Sequence, residues 1–348
     1  IQSSRQTGSN FKPFIYSAAV AKGIAVNSTL VDEPLRMWET GSRTWWEPKN
    51  TPNRYDGVMT LREGLARSKN IISIKLINKV GIDAAVEHVK KFGIEVPKSQ
   101  QVTSMALGVV EVSPLQLVSA YSVFANGGYK VTPYLVSRIE KDGQVIYEAD
   151  PKIADPSFPD KVINDISLKY NDDIDVPENS AEQVLSHGHA FIVSDLLRSV
   201  IYGGAGIDHN FGGTGNRAAR YTGRTDLHGK TGTTNDIHDA WFSGFNANLV
   251  ATAWVGFDDS RNLGHSYAGP EGGAYTALPI FTEFFKRAQD KNVPPALIDK
   301  PKEVTMQTYN GVKDYVLPGT FVVSQQPTGQ AVENTGVNTS NISEDSIF

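Results

Sequence analysis

Apolar positions follow helical spacing through most of the first half of the chain, and strand-like runs gather later. The stretch from Ser9 to Ala21 predicts a helix, and Pro13 is tolerated there because early helical N–H groups lack partners anyway. "MTLREGLARSKNIISIKLINKVG" predicts two helices meeting near Ser68. Thr60 would cap the first, with Glu63 at capping-box spacing. "DAAVEHVKKFG" reads as a short amphipathic helix ended by Gly93. "SPLQLVSAYSVFANGG" carries the full set of helix signals: Ser113 as cap, Pro114 in the first turn, Gly127 and Gly128 as the stop. "HAFIVSDLLRSVIYGG" and "TALPIFTEFFKRAQD" predict two more helices.

Between these elements lie a predicted hairpin in "YKVTPYLVSRIEKDGQVIYE", turning at Asp142-Gly143, and three successive strands in "DLHGKTGTT", "DAWFSGF" and "LVATAWVGFD". The Trp- and Pro-rich segment "MWETGSRTWWEPKNTPNRYDG" reads as an irregular surface connection that could line a groove. Residues 150–188 read as polar and irregular, and the last thirty or so residues as a polar tail. Helices, then strands, then a closing helix predict an α+β fold: an antiparallel sheet flanked by helices, plus a mainly helical lobe. The strand count is low for so large a helical part.

A length of 348 residues supports a large core and two lobes. The net charge of −5 argues against a general nucleic-acid or anionic-membrane surface. No apolar run is long enough to span a bilayer. The absence of cysteine removes disulfides, thiol nucleophiles and thiolate metal sites together.

Three short motifs carry candidate chemistry. Ser9 and Lys12 stand three apart and share a helix face. A serine hydroxyl needs a base, and a lysine can be one if desolvation and a second cation lower its pKa. Phe11 and Phe14 could supply the desolvation. Taken alone, the pair reads more plainly as a helix cap with a solvated lysine. Ser68-Lys69-Asn70 adds a second hydroxyl and an amide; its plainer reading is a cap between helices, and "SRN" at Ser260–Asn262 has the same form. In "KTGTT", Thr231 and Thr233 share one strand face and could hold a carboxylate, while Gly232 permits a close approach. Alternation puts Lys230 on the opposite face. All three can therefore serve one site only if the strand lies at a sheet edge bordering the cleft.

The order Ser-x-x-Lys, Ser-x-Asn, Lys-Thr-Gly is that of penicillin-recognising serine enzymes. The longer strings "RQTGSNFKPF", "LREGLARSKN", "ALGVVEVSPLQLVSAYSVFANGG" and "GKTGTTNDIHDAWFSGF" resemble the transpeptidase domain of class A penicillin-binding proteins of the 1a type, from about Gln6 to about Lys286. Thr7 departs from the family, where proline is common. The resemblance implies Ser9 as acylated nucleophile, Lys12 as its base, and Ser68 as proton shuttle toward the leaving amine. It implies Asn70 in contact with the acyl chain and Lys230 as source of a positive field. Thr231, Gly232 and Thr233 would bind the donor's terminal carboxylate or that of a β-lactam. The backbone N–H groups of Ser9 and Thr233 would form the oxyanion hole.

The resemblance further implies peptidoglycan stem peptides as donor and acceptor, β-lactams as covalent inhibitors, and no cofactor or metal. It implies a periplasmic enzyme on the bacterial inner membrane, with an anchoring helix and a glycosyltransferase domain earlier in the full protein. Residues 1–290 would be the transpeptidase domain, lacking its first sheet strands. Residues 291–348 would be an extension of short strands and a polar tail.

Several competing readings are weaker. "GHSYAG" near-matches a nucleophile elbow, but "GPEGG" follows where a helix is needed, so it reads as a loop. His187 and His189 in "SHGHAF" read as loop histidines rather than metal ligands. "GGAGIDHNFGGTGN" reads as a flexible loop near the cleft. A class A β-lactamase needs a deacylating glutamate, and Glu111 reads as a structural residue opening a helix. A D,D-carboxypeptidase and a non-catalytic β-lactam sensor share the same motifs.

Overall fold

The computed structural model describes residues 2–39, 43–165, 169–204, 211–266, 269–289 and 294–327. Most of the predicted polar tail lies outside the described residues. So do residues 40–42 of the Trp-rich segment, 205–210 of the glycine-rich stretch, and Tyr267 and Ala268 of "GHSYAG".

The chain enters through a 3₁₀ turn, Gly8–Phe11, and runs directly into helix α1, Lys12–Ala21. The expected helix therefore starts tighter than an α-helix. In a 3₁₀ turn, residues three apart eclipse, which aligns Ser9 with Lys12. α1 is buried from Lys12 to Val20. Its Phe14 ring packs edge-on against Phe92 and Tyr121 at 5.1 and 5.6 Å. Around it lie α2 (Leu61–Ala66), α3 (Asn70–Val80), α4 (Ile82–Lys90), α5 (Pro114–Ala125) and α6 (His187–Tyr202). Two predicted caps are present. Thr60 accepts from the Glu63 N–H at 3.1 Å, and Ser113 and Gln116 form a complete capping box. The predicted hairpin is present as Arg138–Lys141 paired with Gln144–Glu148.

The central sheet has the strand order His228–Thr233, Asp239–Phe245, Val250–Gly256, all antiparallel, so His228–Thr233 is an edge strand among the described residues. Register pairs Lys230 with Ser243 and Thr233 with Ala240. Alternation along the middle strand sends Trp241 and Phe245 into the core shared with α1, α5 and α6. The other face carries a second core, built with the short helix α7 (Arg217–Thr222) and with α8 (Ala277–Ala288). There Phe242 meets Phe281 of α8 at 4.6 Å. Helices thus cover both faces of an antiparallel sheet, and the fold is α+β.

The structure departs from the sequence pattern in several places. The Trp-rich connection is not irregular: Met37–Glu39 pairs with Thr44–Trp46, with the exposed Trp38 and Trp45 rings edge-on at 5.4 Å. Glu111 does not open a helix but pairs with Gln6 in a two-residue ladder ahead of α5. Residues 150–165 and 169–188 are polar yet structured around one end of α6: the Asp160 carboxylate accepts from the His187 N–H, and Asp165 from the Ser186 N–H. These carboxylates satisfy free N–H groups and favour the positive helix end. His187 and His189 are accordingly helical rather than loop residues. His189 is buried and joins Asp165 at 2.8 Å and Ser17 of α1 at 2.9 Å, and Ser17 also meets His88 of α4 at 2.8 Å.

The later chain folds back on the first helices. A hairpin, Thr305–Tyr309 with Val312–Val316, delivers Asp314 to the fully buried Arg62 of α2. The same guanidinium meets Asp195 of α6 at 2.7 Å. Phe321 exchanges backbone hydrogen bonds with Gly23 and Ala25 at 2.8 Å each, closing the chain onto the end of α1.

These buried polar groups are open to test. Arg62→Met strands two carboxylates and should destabilise the fold by about 3–5 kcal/mol in urea unfolding, with Asp314→Leu in the same chain restoring part of the loss. His88 is pushed well below the ordinary histidine value of 6.5, first by burial and then by His189 and Lys91. The unfolded chain takes up that proton first, so stability should fall as pH drops below 6.5, and His88→Gln should flatten the fall.

Candidate active site

All three motifs meet at one cleft. The 3₁₀ turn holds Ser9 half-buried between buried neighbours, and its hydroxyl has no hydrogen-bond partner among the described residues. Lys12, fully buried, donates to the Ser68 carbonyl and to Asn70 Oδ1 at 2.7 Å each, and approaches Ser68 Oγ at 3.3 Å. Lys230, also fully buried, donates to Ser68 Oγ at 2.9 Å and to the Thr231 carbonyl at 3.0 Å. One hydroxyl, Ser68, is therefore bracketed by two amines.

The edge position of the strand resolves the alternation problem. The Lys230 side chain leaves the face opposite the threonines, and its flexible stem carries Nζ to Ser68 and back to Thr231. Thr231 Oγ1 donates to Thr214 Oγ1 at 3.0 Å, so the described end of the glycine-rich stretch borders the cleft. Thr233 is exposed at the strand end, and its Oγ1 accepts from the Gly273 N–H at 3.0 Å.

The electrostatics follow from burial. Desolvation, and then the charge of Lys230, hold the Lys12 amine well below its ordinary value. Desolvation brings Lys230 down to about 7. A neutral Lys12 has two N–H groups, which match the Ser68 carbonyl and Asn70 Oδ1. That leaves its lone pair free for a proton.

Ser68 is not the plain helix cap. Its φ of 57° is left-handed, which turns the chain between α2 and α3 and points the hydroxyl at the amines. Asn50 does the capping: its Oδ1 accepts from the Asn70 N–H at 2.9 Å, and its Nδ2 donates to Asp32 at 2.7 Å. Lys69 turns away from the cleft onto Asp32 at 2.8 Å. The look-alike Ser260–Asn262 lies on an exposed turn.

A column of glycines brings the layers together. A Cβ on Gly108 would collide with the Gly8 carbonyl oxygen, and one on Gly8 with that of Thr233. Gly232 packs on Thr7 and Asn10, where a Cβ would meet the Thr7 carbonyl oxygen at 2.6 Å. The Thr233 backbone nitrogen lies on this same side, 3.1 Å from the Gly8 Cβ position. Gly8 and Gly108 both have positive φ, so neither position suits a side chain. Sequence reasoning missed Asn50, Asp32, Gly108 and Thr214.

The penicillin-binding protein transpeptidase domain matches residues 1–270. The chain belongs to that family. Penicillin-binding protein 1A of Escherichia coli (strain K12) is 36% identical over an alignment covering 96% of this chain and 45% of that protein. Penicillin-binding protein 1A of Vibrio cholerae is 38% identical, covering 84% and 37%. The crystal structure of Penicillin-Binding Protein 1A from Haemophilus influenzae superposes with a TM-score of 0.80 at 37% identity, covering 93% of this chain and 49% of that one. The chain thus spans less than half the length of these relatives, and its fold and enzyme class are those of penicillin-binding transpeptidases.

Two variants separate positioning from charge. Gly108→Ala should displace the Ser9 turn and slow penicillin acylation on the order of 10²-fold, read by stopped-flow labelling. Lys230→Met should abolish most acylation while leaving the melting temperature equal or higher at pH 7, because burying that amine costs stability below its unfolded pKa.

Proposed function

We propose that this domain is a serine D,D-transpeptidase that cross-links peptidoglycan stem peptides through an acyl-enzyme on Ser9. The observation that carries the reading is the pair of buried amines converging on Ser68, one of them on Lys12, three residues after Ser9, whose hydroxyl has no partner among the described residues. Lys12 takes the Ser9 proton as Oγ attacks the penultimate D-alanine carbonyl. The negative oxygen of the tetrahedral intermediate is met by the Ser9 and Thr233 N–H groups, each such donor being worth about 2.7–4 kcal/mol. Ser68, bonded to Lys230, passes a proton to the departing D-alanine amine. Thr231 and Thr233 take the donor carboxylate, and Gly232 keeps that strand close to the turn. Asn70 orients Lys12 through Oδ1 and has Nδ2 turned to the Lys49 carbonyl at 2.8 Å; its contact with the acyl chain would use the remaining N–H. A side-chain amine of a second stem then attacks the ester and frees Ser9.

We further infer that residues 1–290 form this transpeptidase domain and residues 291–348 an extension of it. In the full protein the domain would follow a glycosyltransferase domain and a membrane anchor, facing the periplasm. The coverage of the relatives, 37% to 45% of their length, supports a larger whole.

Penicillin should add one ligand mass to the protein, and Ser9→Ala should abolish the gain; an adduct that persists in Ser9→Ala overturns the assignment. A donor ending in D-Ala–D-Ala should give cross-linked product with an amine acceptor. Release of D-alanine with water alone would instead favour the carboxypeptidase, and an adduct without either product the sensor.

A further inference from the structure

The Trp-rich ribbon is joined directly to the active-site cleft. Asn70 turns its Nδ2 to the Lys49 carbonyl at 2.8 Å, and Asn50 holds the Asn70 N–H at 2.9 Å. From Lys49 the chain runs back through Pro48 and Glu47 into the strand Thr44–Trp46, which pairs with Met37–Glu39. Register puts Trp38 opposite Trp45, so both indoles share one face of the ribbon. They are 51% and 53% exposed, although tryptophan is on average well buried. Two neighbouring half-exposed indoles on a ribbon joined to the cleft point to a ligand surface.

The surroundings define that ligand. A cavity of about 330 Å³ adjoins the ribbon, with Arg36, Glu47 and Lys49 as its charged wall residues. Arg36 lies over Trp45 at 4.5 Å and pairs with Glu47 at 3.0 Å. Both side chains stay more than half exposed, at 59% and 60%, so donors and acceptors remain open to a ligand. Lys49 is the wall residue whose carbonyl meets Asn70. Indole faces beside a matched donor and acceptor suit a neutral pyranose, which offers C–H groups from its faces and hydroxyls from its rim. Such a ring brings no charge to an ion pair that already balances itself. Reach favours the same ligand. Trp45 stands four residues before Lys49, a span of at most ~14 Å. A donor stem that acylates Ser9 at its penultimate residue has about four further units, also ~14 Å when extended, before it joins its sugar.

We propose that the Trp38–Trp45 face and the adjoining cavity bind the glycan strand that carries the donor stem. N-acetylated hexosamine rings lie on the indoles, and their hydroxyls meet Arg36 and Glu47. The inference rests on the transpeptidase reading for its choice of ligand, and it makes the ribbon a sugar-binding extension of the donor site.

The probe is chitotetraose, a stem-free chain of β-1,4-linked N-acetylhexosamines, titrated calorimetrically into the full chain and into its Ser9→Ala variant. Saturable binding of like affinity is expected for both, weakened about tenfold or more by Trp38→Ala and by Trp45→Ala. Both tryptophans are exposed, and thermal melting checks that each variant is folded. A donor stem attached to its disaccharide should show a KM several-fold below that of the free stem, and the double variant Trp38→Ala/Trp45→Ala should erase the difference. Absence of saturable binding, or binding unchanged in the double variant, overturns the proposal. A KM advantage of the linked donor that survives in the double variant overturns it as well. Failure of penicillin to label Ser9 would strike the transpeptidase reading alone, since saccharide binding is still read on Ser9→Ala.

Discussion

Two amines buried against one hydroxyl set the terms for everything around the cleft. Lys12 and Lys230 come from elements far apart in the chain, and both are removed from water where their Nζ atoms approach Ser68. Desolvation opposes charge on each, and the charge of Lys230 opposes it further on Lys12. A site made this way favours the neutral, proton-accepting form of a lysine without calling on a histidine. It also costs folding energy, which the two surrounding cores must offset.

That cost explains the supports around the cleft. Ser68 meets both amines from a left-handed backbone conformation, and such strain persists where neighbours over-determine it. Asn50 caps the helix behind it, Lys69 is tied to Asp32, and Thr60 fixes the helix ahead. On the other wall, backbone replaces side chains. Gly108, Gly8 and Gly232 let a 3₁₀ turn and a strand edge touch, which brings the Thr233 nitrogen to the serine's side.

The larger frame is tied by charge as well as by packing. Arg62 joins a helix beside the site to α6 and to the late hairpin through Asp195 and Asp314. The chain of Asp165, His189, Ser17 and His88 joins α1 to α4 and α6. Both networks are buried, so each partner is worth more paired than alone.

One-dimensional information sufficed for the helices with strong local signals, for the α+β class, and for the three motifs in their order. Capping residues and hydrophobic periods act within a few residues, so they are readable along the chain. The same reading required the Lys-Thr-Gly strand to be an edge, since only there can Lys230 reach the threonines' face. Whatever needs distant partners was settled by contacts across the fold. They made Ser68 a bracketed hydroxyl rather than a cap, turned the Trp-rich connection into a ribbon, and moved His189 from an expected loop into a buried network. Gly108 and Asn50 belong to the same class: their roles come from segments remote in sequence and leave no trace in their own neighbourhoods.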